Sequence, residues 1–197
     1  MMQLNADSRL TQGAVTLTLL QPEQREALKT LADDPRIWEV QPSIYQHFEA
    51  QWFNKALEQF QQQKRWPFAI QYHSQWAGSS SFYEVDEQHK RLTIGYTWYA
   101  PQFWGTSLNP TVKLLMLQYA FETLKMQRVA FTVDAINTRS CGAMEKLGAK
   151  REGVLRKHML RPDGSSRDTV VFAIVDEEWP VVKAALLKRL AFDTCRC

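Results

Sequence analysis

The sequence predicts an α/β (α+β) fold in which a mixed, mostly antiparallel seven-stranded sheet is flanked by helices in one domain, with a core over about residues 10–190. Three observations predict it. Strand-like runs follow one another at Pro67–Tyr72, Trp76–Glu84 and Arg91–Tyr99, joined by polar turns that suit a meander. Helical spacing then alternates with a single strand pattern between residues 109 and 147. A last pair of runs flanks Pro162-Asp163-Gly164-Ser165, a strong hairpin turn.

Taken in order, Gly13–Leu20 reads as a strand, because Val15, Leu17 and Leu19 alternate with threonines before Pro22. Helices are predicted over Gln24–Asp33 and Tyr45–Gln63; in the second, Phe48, Trp52, Ala56 and Phe60 recur every four residues. In the Arg91–Tyr99 strand, alternation predicts Leu92, Ile94, Tyr96 and Trp98 on one face and Thr93, Gly95, Thr97 and Tyr99 on the other. Asn109 suits an N-cap with Pro110 at the first helical position, ahead of Val112, Leu115, Met116 and Tyr119. Arg128–Val133 reads as a strand and Asn137–Leu147 as a helix closed by Gly148. The hairpin strands are Lys150–Arg161 and Arg167–Val175, and a helix follows from Asp176 to about Leu190, leaving 191–197 as a tail.

With 45% hydrophobic and 23% charged residues, the composition excludes wholesale disorder and collagen-like repeats. A net charge of +3 falls short of a dedicated nucleic-acid binder, although seven Lys or Arg gather between Lys146 and Arg167. An RNA-binding role for that stretch predicts steeply salt-dependent affinity; a solvated sheet edge, His158 included, is the plainer reading. Seven Trp and ten Phe exceed the needs of a core, so some are expected to line a pocket or an interface, and a homodimer is permitted. Three cysteines, two of them in the tail at Cys195 and Cys197, with no leader or long apolar span, point to the cytoplasm and exclude a membrane span. Cys141 reads as a small structural residue on a helix, and no metal site is expected.

The junction between the strand ending near Tyr99 and the helix starting near Asn109 is Gln102-Phe103-Trp104-Gly105-Thr106-Ser107. A strand that feeds through a glycine loop into a helix N-terminus aims free N–H groups and the positive dipole end at one spot, which suits a pyrophosphate. About 30 residues on come Asp134-Ala135-Ile136-Asn137-Thr138-Arg139-Ser140 and Met144-Glu145-Lys146-Leu147-Gly148. Together these segments resemble the Gln/Arg-x-x-Gly-x-Gly/Ala loop and the Asn-x-x-Ser helix of GNAT acetyltransferases, and the 155–164 hairpin resembles the branch related to ribosomal-protein N-acetyltransferases (RimJ/RimL-like).

The resemblance implies the GNAT fold and transfer of an acetyl group from acetyl-CoA, without a metal, to a primary amine: a protein N-terminal amine or a small-molecule amine. It implies direct attack by the amine, so no protein nucleophile is required. It places Trp98, Tyr99, Gln102, Phe103, Trp104, Gly105, Thr106 and Ser107 along the CoA path, with Asn137 and Ser140 beside its sulfur, and the Trp98–Tyr99 end of the strand splayed from its neighbour. It places Trp38, Tyr45, Thr93 and Tyr96 on the acceptor side, with Trp52 nearby. Relatives carry a glutamate base where this chain has Thr93, so proton removal is expected to pass to Asp134, to a water chain, or to an amine that arrives neutral. Thr93 also keeps open a non-catalytic CoA-binding or interaction module.

Overall fold

A computed structural model describes residues 4–5, 7–39, 47–161 and 163–194, apart from the side chains of 192–194. Eight strands form one sheet in the order β1-β2-β3-β4-β5-β6-β8-β7. They are β1 (Arg9–Gln12), β2 (Val15–Leu19), β3 (Arg65–Tyr72), β4 (Gln75–Asp86), β5 (Arg91–Tyr99), β6 (Arg128–Asp134), β7 (Lys150–Leu160) and β8 (Ser166–Val175). The expectation of seven strands misses β1. Its sequence, Arg-Leu-Thr-Gln, has no alternation to detect, and it forms by pairing with β2 across a turn where Gly13 has φ +55°.

Every neighbouring pair is antiparallel except β5 and β6. That parallel pair holds only from Arg91↔Arg128 to Thr93↔Ala130. Beyond it β5 stays with β4 as far as Tyr99, while β6 stays with β8 as far as Asp134. The sheet therefore opens into a wedge between the C-terminal halves of β5 and β6.

Helices cover both faces. On one side lie α3 (Leu108–Gln118, continued by wider π turns over Tyr119–Thr123), α4 (Thr138–Leu147) and α5 (Trp179–Thr194), packed with Leu17, Phe68, Phe82, Ile94 and Phe172. Glu122 accepts from Trp179 Nε1 at 2.8 Å and from Lys183 Nζ at 2.7 Å, pinning α5 to α3. Residues 191–194 continue α5 and do not form the expected tail. On the other side lie α1 (Arg25–Ala32), the π segment Phe48–Asn54 and α2 (Lys55–Gln61), packed with Trp38, Trp52 and Trp98. The strict four-residue spacing of Phe48 and Trp52 overshoots an α-helix, and the wider π turn brings the two rings into a stack with centroids 5.1 Å apart.

Candidate active site

The face assignment of β5 changes at a bulge. Ser79 pairs with Trp98 and Ser81 with Gly95, so Tyr96 and Thr97 together oppose Ser80. Tyr96 takes φ +52°, in the left-handed region that a bulky residue rarely enters. The extra residue inverts the alternation: Ile94 and Tyr99 pack with α3, whereas Trp98 joins the aromatic cluster on the opposite face. The bulge sits beside the wedge, one residue after Gly95, where an added Cβ would lie 2.8 Å from the Tyr83 ring. Trp98 is 5% exposed and has Trp38, Phe48 and Trp52 within 5.5–5.9 Å between centroids, while Trp38 Nε1 donates to Ala32 O at 2.9 Å. Both are core tryptophans, and Tyr96 is the exposed aromatic at the bulge.

At the open end of the wedge the chain passes through a short turn, Pro101–Phe103, into α3. Trp104 Nε1 donates to Tyr99 O at 2.9 Å, and Thr106 Oγ1 donates to Phe103 O at 2.7 Å while accepting from Leu108 N at 3.2 Å. Gly105 takes φ +76° with open space where a Cβ would go, so its requirement is conformational. The backbone N–H groups of Gly105, Thr106 and Ser107 find no acceptor among the described residues. Helix α3 starts earlier than expected, at Leu108, and Asn109 does not cap it: its Oδ1 accepts from the Tyr99 hydroxyl at 3.1 Å. The Ser107 hydroxyl is 3.1 Å from that of Tyr72, whose ring meets Phe103 edge-on at 5.9 Å, while Gln102 of the same short turn is exposed.

The second motif meets the first. Asn137 Oδ1 accepts from Ser140 N at 3.0 Å and caps α4, and Gly148 closes it at φ +88°, as the spacing predicts. Because β5 and β6 run parallel, both loops emerge at the same end of the sheet, and the Arg139 guanidinium lies 3.9 Å from the Trp104 ring. A cleft of about 160 Å³ is lined by Ile37, Glu39, Asn137 and Arg139, among others. The Ser140 hydroxyl is left without a partner among the described residues.

Asp134 is committed elsewhere. Its carboxylate takes a bidentate pair from Arg161 at 2.9 and 2.8 Å and accepts from Ile136 N. Burial alone would raise its pKa, but the Arg161 guanidinium and the Ile136 N–H outweigh this and hold it below the ordinary carboxylate range. Arg161 also donates to Ser165 and Ser166, so the pair fastens the β7–β8 turn, and a base is unsuited to that setting. A different carboxylate stands at Thr93: Thr93 Oγ1 donates to Glu84 Oε2 at 2.9 Å. Glu84, at φ +49°, belongs to an irregularity between Tyr83 and Asp86 on β4, and its residue is exposed. Thr93 is the last residue to pair with β6, so this carboxylate stands at the apex of the wedge.

Two buried cations flank the bulge. Lys113 of α3, 3% exposed, reaches between the strands, donating to Thr97 Oγ1 at 3.1 Å and lying 5.7 Å from the Phe131 ring. Burial pulls its ammonium down to about 7. Arg65 of β3, 2% exposed, lies on the other face, 3.8 Å from the Tyr96 ring and 5.4 Å from the Trp52 ring. Neither these cations nor Glu84 is signalled by a motif, because strand pairing and the packing of α3 on the sheet bring them together. Burial raises the Cys141 thiol, which leaves it a poor nucleophile. Among the described residues no cluster could hold a metal ion and no helix is long and apolar enough to cross a membrane. Tyr45, Cys195 and Cys197 lie outside the described residues.

A wedge in a mixed sheet, ending in a glycine loop at a helix mouth, suits an acyl-CoA-dependent N-acyltransferase, and the family match and relatives show that class. Residues 14–150 match the acetyltransferase (GNAT) domain family, and the chain belongs to it. It is 30% identical over 120 residues to the uncharacterized N-acetyltransferase YoaA of Bacillus subtilis, a match covering 61% of this chain and 67% of that one. A crystal structure from T. thermophilus assigned to the acetyltransferases aligns over 92% of this chain and 96% of its own, with 36% identity and a TM-score of 0.80. The fold is shared with Mycobacterium smegmatis RimJ, solved with CoA-disulfide: 21% identity, TM-score 0.73 and 90% of each chain.

Proposed function

We propose that this enzyme transfers an acetyl group from acetyl-CoA to a primary amine, with acetyl-CoA entering along the wedge and the amine arriving on the face of α1 and the aromatic cluster. The observation that carries this is the row of N–H groups at Gly105, Thr106 and Ser107 without a partner among the described residues, beside strand edges that no described segment pairs. N–H groups at a helix mouth suit a diphosphate, and the unpaired edge of β5 suits the amides of a pantetheine arm. Bound here, acetyl-CoA supplies a thioester open to direct attack. A backbone N–H at the Tyr96–Thr97 bulge would bond the acyl oxygen, and the Ser140 hydroxyl would donate a hydrogen bond to the departing thiolate, which takes its proton from solvent.

In this reading Glu84, not Asp134, receives the proton from the amine, directly or through one water, with Thr93 holding the carboxylate in place. The glutamate absent from β5 is thus supplied by β4, which favours an enzyme over a mere binder. Acetyl-CoA titrated into the protein should bind at micromolar to millimolar levels, with thiol release when amines are added. Gly105→Glu, which puts a side chain at positive φ and a negative charge in the cradle, should weaken binding by roughly a hundredfold or more. Unchanged affinity in that variant would refute the cradle.

A further inference from the structure

The aromatic face beside the bulge holds more buried N–H donors than acceptors. Arg65 Nε donates to Ser81 Oγ at 2.8 Å, but Nη2 is buried with no partner among the described residues. Trp52 Nε1 and Trp98 Nε1 are likewise buried and without a partner among the described residues, in rings whose centroids are 5.5 Å apart. Trp52 lies under the Arg65 guanidinium, and the Ser79 hydroxyl, opposite Trp98 in the ladder, also has no partner among the described residues. No carboxylate among the described residues pairs with Arg65, whose guanidinium is met by the Ser81 hydroxyl and the Tyr96 and Trp52 rings.

Leaving one buried N–H unpaired is costly, and leaving a guanidinium without an anion is more so. Three such donors in one patch have a common complement, a small anion with several lone pairs. The aromatic rings supply apolar walls and the cation supplies the sign, so a polyamine is disfavoured and a carboxylate or phosphoryl oxyanion is favoured. Tyr96 fixes the distance. Arg65 stacks on the side chain of the bulge residue whose backbone adjoins the wedge, so an anion at Arg65 lies only a small-molecule length from the point of amine attack.

We propose that Arg65, with the Trp52 and Trp98 indoles, forms an anion subsite, and that the acceptor is a small amine carrying its own carboxylate or phosphoryl group. This rests on the acetyl-transfer reading and narrows it, turning away from a protein N-terminus and from polycations.

The test uses the intact protein and a matched set: leucine, leucinamide and the phosphonate analogue of leucine. Calorimetry with acetyl-CoA comes first. No binding would overturn the acetyl-transfer reading and this subsite with it, whereas binding with equal turnover of all three amines would overturn the subsite alone. Rates are compared per mole of neutral amine. The expected result is a kcat/KM for leucine or the phosphonate roughly ten- to a hundredfold above that for leucinamide. A leucine preference assigns the anion as carboxylate, and a phosphonate preference as phosphoryl. Arg65→Gln should bring the ratio close to one, and Arg65→Lys should keep part of it. Without acetyl-CoA, the two anionic amines should raise the Tm and alter indole emission while leucinamide does neither. Should Arg65→Gln not fold, the wild-type ratio and Arg65→Lys decide. A leucinamide rate equal to or above the others, or an anion preference that survives in Arg65→Gln, would overturn the subsite.

Discussion

The two faces of the β5 bulge each bury a cation that no carboxylate among the described residues neutralises, and the two are held differently. Lys113 has one hydroxyl partner, Thr97, in the cleft between β5 and β6. Its amine is a compact charge, and burial brings its titration to about 7, so the protein can discharge it. Arg65 has a delocalised charge spread over two rings; burial lowers it only to about 10, and it remains a cation at neutral pH. The difference shows what each side of the sheet can tolerate. The α3 face can become neutral, while the face of the aromatic cluster keeps a fixed positive charge.

The same contrast separates the two carboxylates, and it yields the largest expected effect. Glu84 is exposed and bonded to a hydroxyl, whereas Asp134 is 7% exposed and clasped by Arg161. Glu84→Gln should lower kcat by roughly 10²- to 10⁴-fold with unfolding free energy changed by no more than about 0.5 kcal/mol, read from steady-state kinetics and urea melts. Asp134→Asn should do the reverse, destabilising by about 1–3 kcal/mol as the β7–β8 turn loosens. Because the folded chain holds the Asp134 proton more weakly than the unfolded chain does, this stabilisation is present above the ordinary carboxylate range and is lost as pH falls through the lowered folded value. A large kcat loss in Asp134→Asn at unchanged stability would exchange the two roles.

Next in size is Lys113→Met. Folding removes the lysine's proton in the window from about pH 7 up to the ordinary lysine range, so the unfolded chain binds more protons there and stability rises with pH. Replacing the amine by an apolar side chain of similar length should stabilise the protein at pH 7 by about 1–4 kcal/mol and flatten that rise. Destabilisation at pH 7 would mean that the amine is better satisfied than its single hydrogen bond suggests. The smallest effect belongs to Asn137→Ala, which removes the cap on Ser140 N and should cost about 1 kcal/mol in thermal or chemical melts.

The elements that local chemistry dictates were legible in the chain. Asn137 and Gly148 bound α4 because a side-chain cap and a left-handed glycine are local devices, and the Arg91–Tyr99 run is observed as read. The face of Trp98 was not legible, since the bulge at Tyr96–Thr97 exists only by virtue of how β4 pairs with β5. Asn109 misled for a related reason: a residue that makes a good cap is engaged instead by Tyr99, ten positions earlier. Arg65, Glu84 and Lys113 come from three different elements, and no spacing along the chain connects them.

Backbone amide shifts offer the most direct measurement. In a titration of the isotope-labelled protein with acetyl-CoA, the N–H resonances of Gly105, Thr106 and Ser107 should move downfield first and furthest, as hydrogen bonds to phosphate oxygens form, with Tyr96 and Thr97 following along the wedge. Saturable binding that leaves those three resonances in place would contradict the account.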